Sequence, residues 1–329
     1  MRAPPLLTLT LSVAAFTFSA PALRLAAAEK PAITVATAQP HHGWRDAVVL
    51  RNRVVEAVIV PSVGRVMQFR FIGERTGPFW ENEKLAGQPM PEDPWKAAPG
   101  SFGGDKTWPA PQSAWNWPPP DVFDTAPLAA VVNDDRSVTL TSPASPRFGL
   151  RTVRRIALDA TEPVMRIETT YEKISGEPVA VAVWVITQLR HPRAVFMPVP
   201  IGSQFPAGAA PTWKGPENFL LREGDWLRIT RNPAGSHKTG NDGTTLVWAD
   251  HNGLLRIEIP RVAGGDYPHN GCSVEVYTNA DPVPYVELET LGPRKTLGVG
   301  DRLSATNTYR LAHRTTAPLE QDVRALLAK

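Results

Sequence analysis

The sequence predicts an all-β chain, a large antiparallel β-sandwich closed by a short C-terminal helix. Three observations carry this. Short runs rich in Val, Ile, Thr and aromatic residues alternate with Gly, Pro, Asn and Asp from Ala47 almost to the end. No alternation of strand and helix patterns supports a parallel nucleotide-binding sheet, and no fixed-period repeat supports a propeller or solenoid. Only Pro318 to Leu327 places apolar residues (Leu319, Val323, Leu326, Leu327) at helical spacing.

Taken in order, the predicted strands are VVEAVIVP, RVMQFRFIG, SVTLTSP, GLRTVRRIAL, VMRIETTYEKI, VAVAVWVIT, WLRITR, TTLVWAD, LLRIEIP, SVEVYTN and YVELETLG. Asn252-Gly253 in ADHNGLL suits a tight primed hairpin turn. Trp80 to Pro127 reads as a long irregular insertion within one domain spanning 29–329, and loops of that length are usually functional.

The first residues have the layout of a cleavable export signal over 1–28. Arg2 precedes an apolar run from Leu6 to Phe18, and small residues end at Ala28. A periplasmic or secreted protein beginning near Glu29 is expected. Removing Arg2 and Arg24 takes the formal charge from +3 to +1, with 33 basic residues (35 − 2) against 32 acidic ones. That balance offers no basic footprint for nucleic acid or an anionic membrane, and no later segment is apolar enough to cross one. Cys272 is the sole cysteine, which excludes an internal disulfide and a thiolate zinc site and leaves a buried thiol as its expected role.

Candidate chemistry centres on two neighbouring strands. Side chains alternate along a strand, so Tyr285, Glu287 and Glu289 share one face of PYVELETLGP, with Val286, Leu288 and Leu291 expected on the apolar side. In CSVEVYTN, Glu275, Tyr277 and Ser273 share a face in the same way. Three carboxylates and two tyrosines would then converge. Such a surface suits a polyhydroxylated ligand, whose hydroxyls donate to carboxylates while its apolar ring face lies on an aromatic plane. His191 follows an apolar strand where the chain leaves the sheet, a position open to a general acid. His269 precedes the Glu275 strand, and His237 and Lys238 fall in a predicted loop, NPAGSHKTGNDG; His41 and His42 are expected to be peripheral. No spacing matches a metal motif, and Gly-x-Ser-x-Gly is absent, so neither a metal, nor another cofactor, nor a serine nucleophile is expected.

With these residues in view, a resemblance can be stated. Leu288-Glu289-Thr290 followed by LGVGDRLSATNTYRL is similar to the closing segment of aldose 1-epimerases, the galactose mutarotases. SFGGDKTW lies where that family has a His-Gly-Gly loop, and QLRHP where it has a strand-end histidine. GGDKTWPAPQSAW, GGDYPHNGCSVEVYTN and YVELETLGP resemble, over roughly residues 40–312, a family of bacterial secreted domains of unknown function with a galactose mutarotase-like fold.

The resemblance implies a carbohydrate partner, a small sugar or a glycan, handled by a carbohydrate-active enzyme; the alternatives are a glycan-binding protein without catalysis and a structural sandwich with no small-molecule site. It implies Glu289 as a general base taking the proton of the anomeric hydroxyl and His191 as a general acid protonating the ring oxygen, so that the ring opens and recloses as the other anomer. Glu287 and Glu275 would assist. Asp105, Lys106, Trp108, Gln112 and Trp115 would form a wall of the sugar site, with Lys238, His269 and Tyr277 also binding substrate. Lys106, Lys238 and Arg190 could meet a uronate carboxylate. Phe102 stands where the epimerases have their first histidine, so the loop is expected to bind rather than catalyse.

Overall fold

In the computed structural model, two antiparallel sheets of ten strands each face one another. Apart from Met1, the structure describes residues 32–88, 101–210 and 219–329, and Ala32–Lys329 make up one compact unit. The expected export signal lies outside the described residues. Among the described residues no helix is long and apolar enough to cross a membrane.

The first sheet runs in the order β1 (Thr34–His41), β2 (Trp44–Arg51), β3 (Val55–Val60), β4 (Arg65–Phe71), β5 (Asp105–Ala110), β10 (Val179–Arg190), β18 (Tyr285–Leu291), β17 (Val274–Thr278) and β14 (His237–Asn241). A short strand, β19 (Lys295–Leu297), extends the pairing of β10. The second sheet runs β12 (Leu220–Glu223), β13 (Trp226–Ile229), β11 (Ala194–Pro198), β15 (Thr245–Ala249), β16 (Gly253–Glu258), β20 (Arg302–His313), β9 (Val164–Lys173), β8 (Leu150–Leu158), β7 (Val138–Thr141) and β6 (Ala129–Val132). Among the described residues the α-helices are three and short: α1 (Asp121–Asp124), α2 (Pro268–Gly271) and α3 (Leu319–Leu327).

The main core lies between the sheets. Ile59, Phe69, Leu189, Val286 and Leu288 from the first sheet meet Ile156, Ile167, Trp248, Leu255 and Ile257 from the second, all buried. Each such side chain contributes roughly 1.5–3 kcal/mol, which is why one face of every central strand is apolar. The C-terminal helix forms where the spacing predicts it, seating Leu319, Val323 and Leu326 against Phe196, Trp226 and Leu254. Arg256 Nη1 donates to Leu326 O at 2.6 Å, satisfying one of the carbonyls that a helix end leaves open.

Several expectations are corrected. Asp105–Ala110, read as part of an irregular insertion, is β5, a central strand paired with β10 along its length. Pro109 hides this, since a proline cannot donate to a ladder. Here β5 meets β4 only at Val66–Asp105, so Pro109 lies where that second ladder has ended. The Gly103-Gly104 pair delivers the chain into the strand: both have left-handed φ (+91° and +71°), and a Cβ on Gly103 would clash with Trp80 O. His237 and Lys238 lie on β14, an edge strand, rather than in a loop. In the 250s hairpin Gly253 already belongs to β16, and Asp250 Oδ1 closes the turn by accepting from the Asn252 and Gly253 amides at 2.8 Å. His41 ends β1 and is buried, not peripheral.

Candidate functional site

The outward face of the first sheet, where β5, β10, β18, β17 and β14 run side by side, carries a cavity of about 250 Å³. Register builds its floor. Trp184 of β10 pairs with Trp108 of β5, Ile186 with Lys106 on one side and Glu289 on the other, Glu289 with Glu275, and Glu287 with Tyr277. Because strand side chains alternate, each of these residues projects to the same outer side. The cavity is lined by aromatic Trp108, Trp117, Trp184, Tyr277 and Tyr285 and by polar Ser101, Lys106, Gln112, Gln188, Lys238, Glu287 and Glu289.

One charged cluster borders it on the β14 side. Lys238 Nζ donates to Glu289 Oε2 at 2.7 Å and to Glu275 Oε2 at 2.9 Å. Trp184 Nε1 also donates to Glu289 Oε2 at 2.7 Å, and the ammonium lies 4.6 Å from the Trp184 ring centre. Glu275 has a further partner in His269 Nδ1 at 3.0 Å. Among the described residues Glu289 Oε1 makes no hydrogen bond.

These neighbours push the two carboxyls apart. Burial would raise both; for Glu275, Lys238 and His269 outweigh it and hold the group at about 2. For Glu289, burial together with the charges of Glu275 and Glu287 outweighs Lys238, lifting it to about 8. Burial likewise raises Glu287, whose Oε1 accepts from Gln188 Nε2 at 2.8 Å, while Gln188 Oε1 accepts from Ser101 Oγ at 2.7 Å. Facing carboxyls with separated proton affinities are the arrangement that acid–base chemistry needs.

A second cluster borders the β5 side with the opposite composition. Asp124 Oδ1 accepts from Lys106 Nζ at 2.9 Å, Arg65 Nη2 at 3.2 Å and Trp108 Nε1 at 2.8 Å. Burial would raise Asp124, but the two cations outweigh it and hold it below the ordinary aspartate range. Lys106 Nζ also lies 4.0 Å from the Trp108 ring centre. The indoles of Trp108 and Trp184 join the clusters edge to face, with centroids 5.4 Å apart.

Of the residues singled out from sequence, Lys106, Trp108, Gln112, Lys238, Tyr277, Glu287 and Glu289 line the cavity, and Glu275 and His269 stand directly behind Lys238. Others are placed elsewhere. Asp105 points between the sheets, because alternation along β5 sends it opposite to Lys106; there it is ion-paired with Arg154 and accepts from Tyr309 OH and Thr187 Oγ1, each at 2.6 Å. Trp115 is buried behind Trp108, its Nε1 donating to Pro109 O at 2.6 Å. His191 does not line the cavity; its Nδ1 accepts from Arg231 Nε at 2.9 Å, and burial and Arg231 lower its proton affinity, which keeps it neutral and unsuited to donate as an acid. Arg190 turns away to Gly77 O and Asp250, and Leu291, on the same parity as Glu289, joins the apolar cluster around Trp184 instead of the main core.

Sequence reasoning passed over Trp184, Gln188, Trp117, Ser101 and Asp124. For the first two a signal existed: Trp184 and Gln188 share parity on β10, and a glutamine on one face of an apolar strand marks that face as wet. Trp117 is 55% exposed beside Trp108.

Comparisons with solved structures agree with this architecture. A galactose mutarotase-like protein from Lactobacillus casei superposes with a TM-score of 0.55 at 12% identity, covering 81% of this chain and 100% of its own. A galactose mutarotase-like protein from Clostridium acetobutylicum gives 0.53 at 11% identity, covering 86% and 98%. A galactose mutarotase related enzyme from Lactobacillus acidophilus gives 0.51 at 9%, covering 82% and 98%. No curated protein matches the sequence. At such identities the likeness establishes a shared fold, and its activity is a separate question. The model of a family described as a domain of unknown function (DUF4380) matches residues 46–210. With that match over half of its length and a galactose mutarotase-like fold, the chain belongs to the DUF4380 family.

Proposed function

We propose that this protein binds a carbohydrate in the cavity over β10 and β18 and catalyses acid–base chemistry on it through Glu289, in the manner of an aldose 1-epimerase. The observation that carries the reading is the carboxyl of Glu289 on the floor of an aromatic-walled cavity, with a proton affinity lifted to about 8 while its cross-strand neighbour Glu275 stays charged. A general base works best when its affinity lies near the operating pH. Trp108, Trp117, Trp184, Tyr277 and Tyr285 offer the flat apolar surfaces on which a pyranose ring stacks, and Gln112, Gln188 and Glu287 offer hydrogen bonds to its hydroxyls. Both ammonium groups are already held by carboxylates, which favours a neutral sugar over a uronate. In place of the histidine expected as acid, Glu287, whose proton affinity burial raises, is the candidate donor on the same strand face.

A second reading, binding without turnover, is favoured by one observation: Glu289 Oε2 is occupied by both Trp184 and Lys238. Polarimetry of freshly dissolved α-glucose and α-galactose separates the two. Acceleration over buffer that Glu289→Gln abolishes is the expected result; no acceleration by the wild type overturns catalysis for those sugars. Tryptophan-fluorescence titration with the same sugars then decides whether binding remains. We also propose that residues 1–28 direct export and are removed, which N-terminal sequencing of the protein from its native host tests: a start near Glu29 is expected, and an intact Met1 overturns it.

A further inference from the structure

A second cavity, of about 110 Å³, shares no lining residue with the first and has a different chemistry at its rim. Two adjacent imidazoles, His41 and His42, meet the carboxylate of Glu81. His41 Nε2 lies 2.6 Å and His42 Nε2 3.8 Å from Glu81 Oε2, and one donor atom from each residue falls within a 4.8 Å set. The sequence hides this group, because Glu81 lies 40 residues beyond His41 and reaches it only through the fold. We propose that His41, His42 and Glu81 bind a divalent transition-metal ion, with zinc the best match to two imidazoles and one carboxylate, leaving the remaining coordination positions open toward the cavity.

The local structure favours metal binding over a simple histidine–carboxylate pair in three ways. First, one imidazole would suffice for such a pair, yet the second is held in place by a costly backbone. His42 and Gly43 connect β1 to β2 with left-handed φ at both positions (+44° and +96°), the signature of a two-residue turn that favours Asn, Asp or Gly. A side chain such as His occupies that slot only against a conformational cost of about 1 kcal/mol.

Second, the two halves of the cluster are locked together. A Cβ on Gly43 would lie 2.8 Å from Gly87 Cα, and one on Gly87 would lie 2.7 Å from Gly43 Cα, so the turn packs backbone to backbone against the segment that follows Glu81. Third, the ligands have their own supports, as metal ligands generally do. Gln68 Nε2 donates to Glu81 Oε1 at 3.0 Å and orients the carboxylate, while the His41 ring stacks on Trp44 at 6.5 Å between centroids.

Tetrahedral zinc at about 2.0–2.1 Å from nitrogen and oxygen needs donor atoms roughly 3.3 Å apart. Reaching that spacing requires His41 and Glu81 to part slightly and the His42 ring, 54% exposed and edge-on to His41, to close in. Trp44, Phe79 and Asn82 wall the cavity beside the open positions, where water or a small ligand would complete the shell.

The test uses tag-free full-length protein stripped with EDTA, then titrated with ZnCl₂ by calorimetry and with CoCl₂ by visible absorption. One equivalent of zinc binding at micromolar affinity or tighter, with a d–d band for cobalt, is the expected result. His42→Asn places in the turn a residue that the turn prefers, so its metal-free unfolding midpoint should match or exceed that of the wild type while zinc affinity falls more than about tenfold. Glu81→Gln should lower affinity comparably. No zinc binding by the wild type, or binding that neither variant weakens, overturns the proposal. Neither residue touches the sugar cavity, so the outcome is independent of any result with sugars.

Discussion

Among the described residues, Asp124 on the β5 side of the cavity is shared by two cations, Arg65 and Lys106, and Lys238 on the β14 side is shared by two carboxylates, Glu275 and Glu289. Each cluster also holds an indole: Trp108 donates to Asp124, and Trp184 donates to Glu289 with the Lys238 ammonium over its ring. The difference lies in which group is shared. Arg65 keeps its proton across the neutral range, and with Lys106 it holds Asp124 below the ordinary aspartate range, so this pair stays charged there. A surplus of buried carboxyls has an inexpensive escape, since one of them can hold a proton, and Glu289 does so up to about 8. The first cluster is therefore a fixed brace and the second a proton-exchanging one.

The largest effect is expected from Asp124→Asn. It leaves the buried Arg65 facing a neutral amide, and breaking a buried pair in this way costs about 3–5 kcal/mol, readable as a lower urea midpoint. A loss under about 1 kcal/mol would mean the cations are hydrated rather than braced. Lys238→Met should come next, at about 3 kcal/mol near pH 9, and the deficit should shrink near pH 6, where Glu289 takes up a proton and relieves the repulsion. An Asp124→Asn deficit with the same pH dependence would erase the distinction between the two clusters.

Glu289→Gln gives a smaller and signed effect. The folded carboxyl binds its proton up to about 8, against an ordinary value of 4.5 that applies once the chain unfolds. Between these two pH values the folded state holds more protons than the unfolded one, so wild-type stability contributed by this group falls as pH rises from 4.5 to 8. The variant lacks that slope, and the gap between the two denaturation midpoints should move in its favour across the window; parallel curves would show that Glu289 is not proton-bound. The same group predicts that any sugar-converting rate rises with pH up to about 8 as the base form accumulates. Smallest of all, Asp266→Asn removes an exposed pair with Arg294 and should shift stability by less than about 0.5 kcal/mol, a baseline for the buried clusters.

Much of the fold was legible because the strands have strong alternating or apolar patterns; YVELETLG and SVEVYTN even revealed which of their side chains would face together. Their register, Glu275 opposite Glu289, was not, since nothing local sets the offset between two strands. β5 escaped notice because Pro109 and its neighbouring tryptophans and glycines read as loop. With the strand went the parity that separates inward Asp105 from outward Lys106. β14 was hidden for another reason: HKTGN has no apolar alternation, as befits an edge strand whose lysine is held by ion pairs rather than by packing. Asp124 was invisible because its partners, Arg65 and Lys106, come from other parts of the chain. Charge clusters of this kind are assembled by topology, and a single sequence carries no trace of which distant residues meet.

β10 is the longest strand of the cavity floor, hydrogen-bonded to β5 on one side and to β18 and β19 on the other, and it carries Trp184 and Gln188. A strand tied on both flanks is among the last parts of a protein to open, so its amides should show the slowest hydrogen exchange in the molecule. The surface proposed to take a sugar is thus laid on a rigid backbone. On that proposal, discrimination among ligands would come from the shape already present and from side chains at the rim, such as Trp117, and not from closure of the sheet around a guest.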